Sequence, residues 1–118
     1  MSNVLDVIIR KVILQGPETV NADFFSDSFD ISGTEGNFAV QLVYDNGSSV
    51  NMNLYLQVST DNLNFSDVGD SGQNVTDNSH SHIWDVNGSG TTFARVRIQV
   101  TSGSIDIQTI NFDGKRRH

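Results

Sequence analysis

A regular alternation of apolar and polar side chains over residues 50–59 constrains the fold more than any other stretch of this chain. The apolar members occupy every second position: Val50, Met52, Leu54, Leu56 and Val58. A period of two places the apolar set on one face of a β-strand and the polar set on the other. The sequence therefore predicts a half-buried strand here. Residues 59–64, rich in Asp and Asn, are expected to turn the chain before Phe65 returns to the core.

Several other segments carry strand patterns. Residues 38–44 and 93–101 alternate in the same way. Residues 24–32 form a shorter run in which Phe25, Phe29 and Ile31 are expected to share a face, and residues 82–86 form another, with Trp84 filling the core between the two sheets. Residues 4–14 have a spacing that a helix would also tolerate, but their density of Val and Ile favours a strand.

The last strand, over residues 105–112, shows a change of phase. Ile105 and Ile107 are in phase with each other, whereas Ile110 and Phe112 are in the opposite phase. An extra residue in a strand moves the following side chains to the other face. We therefore expect a β-bulge near residues 108–110.

Seven or eight short strands in 118 residues predict an all-β fold. We expect a two-sheet antiparallel β-sandwich of jelly-roll type, with residues 1–16 as an N-terminal arm or first strand and residues 17–118 as the sandwich of one domain. Asn46-Gly47 lies between two alternating runs and is a strong hairpin signal, so the strands on either side of it are expected to pair.

Composition restricts the function classes. The net charge is −7, which argues against a nucleic-acid-binding protein because neutralisation of phosphates needs clustered Lys and Arg. The sequence has no cysteine and no apolar run near the roughly 20 residues of a membrane span. It also lacks a signal-peptide pattern, so we expect a protein made in the cytoplasm that does not enter a membrane.

Reactive and metal-binding patterns are weak. Gly69-Asp70-Ser71-Gly72 matches the tetrapeptide around a serine-protease nucleophile, but no second motif supplies an oriented His–Asp pair. His80 and His82 lack a third ligand. Four oxygen-bearing residues could hold Ca²⁺, although turn formation explains them equally well: Asp61, Asn64, Asp67 and Asp70. We predict no catalytic site, no cofactor and no metal.

Two groups of exposed residues are candidate contact sites. Interface candidates come from the first strand, from outward positions of residues 93–101 and from the C-terminus: Val4, Leu5, Ile8, Ile9, Val12, Arg95, Arg97, Arg116 and Arg117. For the two central arginines, local pairing with Asp or Glu is the alternative, and the C-terminal cluster is also explained by a solvated tail. Ligand candidates form the polar row of the central strand, which could contact sugars or be a solvent or subunit face: Asn51, Asn53, Tyr55 and Gln57.

Residues 38–112 resemble a family of small jelly-roll domains common in bacteriophage virion proteins. The resembling segments are FAVQLVY, LYLQVSTDNLNF, a short strand containing Ile83-Trp84, and FARVRIQVTSGSIDI. Ser59-x-Asp61-x-x-x-Phe65 corresponds to a pattern usually written S-x-D-G-x-x-W, whose turn caps a strand and whose aromatic residue packs between the sheets. This chain departs from that pattern at Asn62 and at Phe65.

The resemblance implies a non-enzymatic virion component of a bacteriophage. It would be a capsid decoration, vertex or head-to-tail accessory subunit that contacts other virion proteins and copies of itself, as a trimer or another cyclic oligomer. The alternative is a β-sandwich module that binds carbohydrate or a host surface.

Overall fold

The computed structural model shows two antiparallel sheets packed face to face. It describes residues 6–34, 37–46, 49–75 and 80–117, and for residues 6–9, 46 and 115–117 it describes the backbone alone. The strands are β1 Asp6–Val20, β2 Phe24–Phe25, β3 Phe29–Asp30, β4 Phe38–Asn46, β5 Asn51–Ser59, β6 Ser66–Asp67, β7 Gln73–Val75, β8 Ser81–Val86, β9 Phe93–Ser102 and β10 Ile105–Arg117. A short 3₁₀ turn covers Ser32–Thr34.

One sheet has four strands in the order β1–β10–β4–β8, and the other has the order β2–β9–β5–β6. In the second sheet β3 also pairs with β9, and β7 also pairs with β5. Since β5 covers one side of β9, β2 and β3 lie in succession along its other side. In the same way β6 and β7 lie along the free side of β5. Each edge of this sheet is therefore one interrupted strand.

The strand pairing follows a jelly-roll order. β1 pairs with β10, β2 and β3 pair with β9, β4 pairs with β8, and β5 pairs with β6 and β7. The chain is thus paired first with last and inward to its centre, as in a long hairpin rolled into two layers. Counting each interrupted edge once gives eight strands, which confirms the predicted two-sheet antiparallel sandwich.

The core lies between the sheets and is made from the alternating positions. The inward side chains of β4, β5 and β9 are almost fully buried, and they are Phe38, Val40, Leu42, Tyr44, Met52, Leu54, Leu56, Ala94, Val96 and Ile98. Trp84 is 5% exposed, and its indole N–H donates a 2.7 Å hydrogen bond to the carbonyl of Ser71. Trp84 therefore fills core space while its polar atom is satisfied.

The predicted bulge in β10 is confirmed. Ile107 lies opposite Tyr44 of β4, but Thr109 lies opposite the next residue, Val43, so Gln108 is the extra residue. Because of this insertion the isoleucines before it and the apolar residues after it all face the core. Ile105, Ile107, Ile110 and Phe112 are each no more than 1% exposed.

The expected hairpin between residues 38–44 and the central strand is wrong. β4 lies between β10 and β8 in one sheet, whereas β5 lies in the other sheet beside β9. The connection therefore crosses from layer to layer. A turn-forming dipeptide favours a local reversal, but strand pairing also depends on residues far away in the sequence. The partners of β4 and the partners of β5 lie in different sheets. Gly47 itself lies outside the described residues.

The expectation that Phe25, Phe29 and Ile31 share a face is also wrong. Phe25 is 49% exposed, whereas Phe29 and Ile31 are buried. Ser26 lies between β2 and β3, where its N–H donates to the carbonyl of Val96 and its hydroxyl accepts the N–H of Val96. The side chain thus replaces a backbone acceptor in the ladder, and the chain changes phase at this point.

The first and the last described segments of the chain both belong to the four-stranded sheet. Residues 6–14 are strand, and β1 continues past Gly16–Pro17 to Val20 with register shifts against β10. The backbone of residues 115–117 pairs with residues 6–8, so it is the end of β10 rather than a separate tail. Val4 and Leu5 lie outside the described residues, as do the side chains of Ile8 and Ile9.

Replacement of a core side chain tests the assignment of the layers. We expect Leu54→Ala to lower the free energy of unfolding by about 2–5 kcal/mol, because it removes methyl groups from a site with no solvent exposure. Leu63→Ala is the matched control, since Leu63 is 83% exposed and its truncation should change stability by less than about 0.5 kcal/mol. Urea unfolding measures both, and equal effects would contradict this core.

Candidate binding face

The outer face of the six-stranded sheet brings together residues from both candidate groups. Arg95 and Arg97 point outward from β9, and in the register they lie directly opposite Gln57 and Tyr55 of β5. Phe25 of β2 lies opposite Arg97 on the other side of β9. Directly opposite residues share a face of an antiparallel sheet. We call the set Phe25, Tyr55, Phe65, Arg95 and Arg97 the arginine–aromatic patch.

Arg95 is held between two aromatic rings. Its guanidinium carbon lies 4.3 Å from the ring centroid of Phe25 and 4.0 Å from that of Phe65. Its Nε donates a 2.8 Å hydrogen bond to Oε1 of Gln57. Partial burial, with a smaller effect of the neighbouring Arg97 charge, lowers the pKa of Arg95, but an arginine remains charged in proteins. Arg95 is therefore an oriented cation, and within the described residues it forms no ion pair.

Arg97 and Asp67 complete the network. The guanidinium of Arg97 lies 5.2 Å from the ring centroid of Tyr55, and its NH1 is 3.6 Å from Oδ2 of Asp67. The Gln57 amide nitrogen donates a 2.8 Å hydrogen bond to the same carboxylate. Gln57 thus bridges Arg95 and Asp67, which explains why a side chain expected on the wet face is only 7% exposed.

The rest of the polar row is engaged within the protein. The Asn74 side-chain nitrogen donates to the side-chain oxygens of Asn51 and Asn53, at 3.1 Å each. The ring of Tyr55 lies against Gly72, where a Cβ would come within 3.0 Å of the ring. Asn51 and Asn53 therefore support the edge strand β7, and the Tyr55 ring lies between Gly72 and Arg97.

The turn after β5 is built on Ser59 and Asp61. The Ser59 hydroxyl accepts the N–H groups of Asp61 and Asn62 and donates to the Asp61 carboxylate. That carboxylate also accepts the N–H groups of Leu63 and Asn64 and the Asn64 side-chain amide. These hydrogen bonds, led by the Asn64 N–H, hold the pKa of Asp61 far below its usual range. Asn62 has a φ of 60°, a left-handed conformation that Asn tolerates.

Phe65 does not enter the space between the sheets. The chain leaves the turn along the edge of β5, where Ser66 lies opposite Val58. From this edge the Phe65 ring packs on Arg95 at the outer face and remains partly exposed. The expected inter-sheet position of this aromatic residue is therefore wrong.

The calcium candidates are divided among three settings. Asp61 and Asn64 are hydrogen-bonded to each other in the turn, Asp67 contacts Gln57 and Arg97, and Asp70 is an exposed residue with a φ of 60°. Within the described ranges, no group of three or more His, Cys, Asp and Glu side chains is placed to hold a metal ion. His82 packs edge-on against Trp84 with ring centroids 4.7 Å apart, and burial lowers its pKa.

The remaining interface candidate with a described side chain lies on the other sheet. Val12 is 60% exposed and lies opposite Asn111 of β10. Continuing across the sheet, the register aligns Asn111 with Gln41 and Gln41 with Ile83, which is 55% exposed.

In the part of the chain that the structure describes, no helix is long and apolar enough to cross a bilayer.

Comparison with known proteins identifies the fold. No protein-family model and no curated protein sequence matches this chain. The SPBc2 prophage-derived protein YomS matches with a TM-score of 0.58 and 9% identity over 94% of this chain and 95% of that one. A structure of infectious bursal disease virus, Gx strain, matches with a TM-score of 0.58 and 9% identity over 94% of this chain and 32% of that one.

A bacteriophage tailspike domain has a similar fold. The enzymatically active domain of bacteriophage CBA120 tailspike protein 4 matches with a TM-score of 0.56 and 12% identity, over 96% of this chain and 19% of that one. This chain thus spans about a third or less of the viral and tailspike chains, but nearly all of YomS. At these identities the likeness shows the fold.

The Asp61 turn gives a pH-dependent stability. Because the folded pKa is lowered, the carboxylate stabilises the fold above its unfolded pKa of about 3.9, and this contribution is lost as the pH falls below that value. We expect Asp61→Asn to lower the urea midpoint at neutral pH, and the gap from the wild type to narrow below about pH 4. Asp27→Asn is the control, since its exposed carboxylate accepts no hydrogen bond from the described residues. A gap independent of pH would contradict the assignment.

The stacked arginine also contributes to stability. We expect Arg95→Ala to lower the free energy of unfolding by about 1–2 kcal/mol, because it uncovers two rings and leaves the Gln57 oxygen without its donor. Arg95→Lys should recover part of this loss, since the ammonium keeps the charge but cannot stack as a plane. Gln99→Ala, on the same strand and face, is the control. Equal effects of Arg95→Ala and Gln99→Ala in urea unfolding would contradict the stacked geometry.

Proposed function

We propose that this protein is a non-enzymatic structural component of a bacteriophage virion. It acts as a capsid decoration, vertex or head-to-tail accessory subunit through contacts with copies of itself and with other virion proteins. The observation that carries the proposal is the arginine–aromatic patch, because arginine and aromatic residues are enriched where proteins bind each other.

The fixed conformation of the side chains in the arginine–aromatic patch favours a contact with a protein. Arg95 is fixed by two rings and by Gln57 before any partner arrives, so binding immobilises few additional rotamers. Phe25 adds a half-exposed ring at the edge of the same face. The complementary surface would present a carboxylate for Arg95 beside apolar groups for Phe25 and Phe65.

The fold comparisons support a viral setting for this role. The jelly roll recurs in viral capsid proteins, and the proteins that share the fold include a prophage-derived protein, a virus protein and a phage tailspike domain. YomS supports the proposal most directly, since it consists of little more than this one sandwich.

The alternative of a glycan- or host-binding module finds less support in the geometry. Such a module presents free amides and an open aromatic face to a sugar. Here Asn51 and Asn53 hold Asn74, Gln57 is bonded to Arg95 and Asp67, and Arg97 lies over Tyr55. The polar row is therefore better suited to supporting the patch than to recognising a ligand.

The test is the presence of the protein in purified phage particles. We expect it in stoichiometric amounts, and we expect Phe25→Ser to reduce its incorporation several-fold by removing the exposed ring of the patch. Leu63→Ser is the control, because this more exposed apolar residue lies outside the patch. Quantitative mass spectrometry of particles measures both variants.

Two outcomes would contradict the proposal. One is absence of the wild-type protein from particles. The other is binding to a glycan array that Tyr55→Ala abolishes, which would favour the alternative module. Circular dichroism and urea unfolding of each variant separate a lost contact from a lost fold.

A further inference from the structure

The β1–β10 pair extends beyond the rest of its sheet. β4 begins at Phe38, which lies opposite Gly114 of β10. Past this point β1 is the one described strand that pairs with β10, with Lys115, Arg116 and Arg117 opposite residues 8, 7 and 6. The end of this two-stranded ribbon is formed by residues 6–11 and 113–117, which we call the ribbon tip.

The pairing of the two chain ends concentrates positive charge at the ribbon tip. Five of the seven Lys and Arg residues of the chain fall there, against two of the fourteen Asp and Glu. The rest of the chain carries two arginines against twelve acidic residues. The molecule is elongated, with principal extents of 57 × 27 × 22 Å, and a local excess of one charge sign produces a field that attracts surfaces of the opposite sign.

Part of the tip charge is matched within the chain. Arg10 lies 3.4 Å from the carboxylate of Asp113. Lys11 is close enough to Asp30 to add to the lowering of its pKa, which comes mainly from hydrogen bonds of Ser32. The run of three basic residues at 115–117 adds cations beyond Arg10 and Lys11.

The opposite end of β10 has the complementary charge. Asp106 lies directly opposite Asp45 of β4, and both residues are exposed. Their described partners are neutral: the Thr19 hydroxyl donates to Asp106, and the Gln108 amide donates to Asp45. Like charges directly opposite each other in a sheet repel, and a cation from outside would relieve this repulsion. The eleven-residue separation along β10 places this pair about 36 Å from the end of the ribbon tip.

We propose that copies of this chain associate head to tail, with the ribbon tip of one copy on the Asp45–Asp106 end of the next. The inference specifies the self-contact within the proposed function and rests on it. The contact joins two different surfaces, so a rotation that closes produces a ring and one that does not produces a filament. A second copy fits better than a nucleic acid, because the twelve acidic residues outside the tip repel phosphates.

Reciprocal charge reversal tests the contact. The tip variant is Lys115→Glu with Arg116→Glu, and the base variant is Asp45→Lys with Asp106→Lys. Sedimentation velocity of the wild type should show self-association that weakens by about tenfold when NaCl is raised from about 0.05 to about 0.5 M. Each variant alone should sediment as a monomer, and an equimolar mixture of the two should associate again, because each variant then offers the charge that the other lacks.

The control keeps the charge change of the base variant but moves it. Asp27→Lys with Asp70→Lys alters two exposed acidic positions near the paired residues Leu56 and Val96 of the six-stranded sheet, away from both the ribbon tip and the Asp45–Asp106 end, and it should associate like the wild type. A monomeric wild type at low salt, variants that associate as the wild type does, or a mixture that stays monomeric would each overturn the proposal. Wild-type binding to a DNA duplex that the tip variant loses, without self-association, would overturn it in favour of a nucleic acid.

The outcomes separate this inference from the virion role. A protein that is present in particles but monomeric at all salt concentrations would overturn the head-to-tail contact alone. A protein that associates with mixed-charge rescue but is absent from particles would overturn the virion role alone.

Discussion

The position of β10 between β1 and β4 is the constraint on which the rest of the structure depends. Its bulge at Gln108 allows two apolar segments of opposite phase to face the same core. Without the extra residue, either Ile105 and Ile107 or Ile110 and Phe112 would point to solvent. The same strand joins the two ends of the chain, because its last residues pair with the first described residues of β1. Core packing and the charge distribution of the surface therefore have a common origin.

Much of the fold was predictable because the governing signals are local. Alternation in β4, β5 and β9 and the phase change in β10 can be recognised from neighbouring residues, and each corresponds to a buried face in the structure. The failed expectations depend on partners far away in the sequence. Asn46-Gly47 favours a local reversal of the chain. Because β10 and β8 occupy the two sides of β4, β5 pairs in the other sheet instead. Phe25 is exposed because Ser26 bonds to Val96, a residue 70 positions later.

The candidate site shows the same division. The outward direction of Arg95 and Arg97 follows from the alternation of their strand. The stacking of Arg95 between Phe25 and Phe65 does not, since it combines side chains from three separate segments. Phe65 reads as a core residue by composition, yet the edge position of the chain after the Asp61 turn directs it outward. The basic ribbon tip could not be predicted from neighbouring residues either, because its charges come from segments far apart in the sequence.

The interrupted edges of the six-stranded sheet have a consequence for behaviour at high concentration. β2, β3 and β6 are two residues long and β7 is three, so neither margin offers a continuous row of backbone donors and acceptors to an incoming segment. The described edges of the six-stranded sheet therefore give an added strand no continuous template for fibril growth. The other layer ends in the fifteen-residue β1, and unwanted stacking of misfolded chains would begin at that margin. Substitutions intended to prevent aggregation during long storage would therefore be made in β1 first.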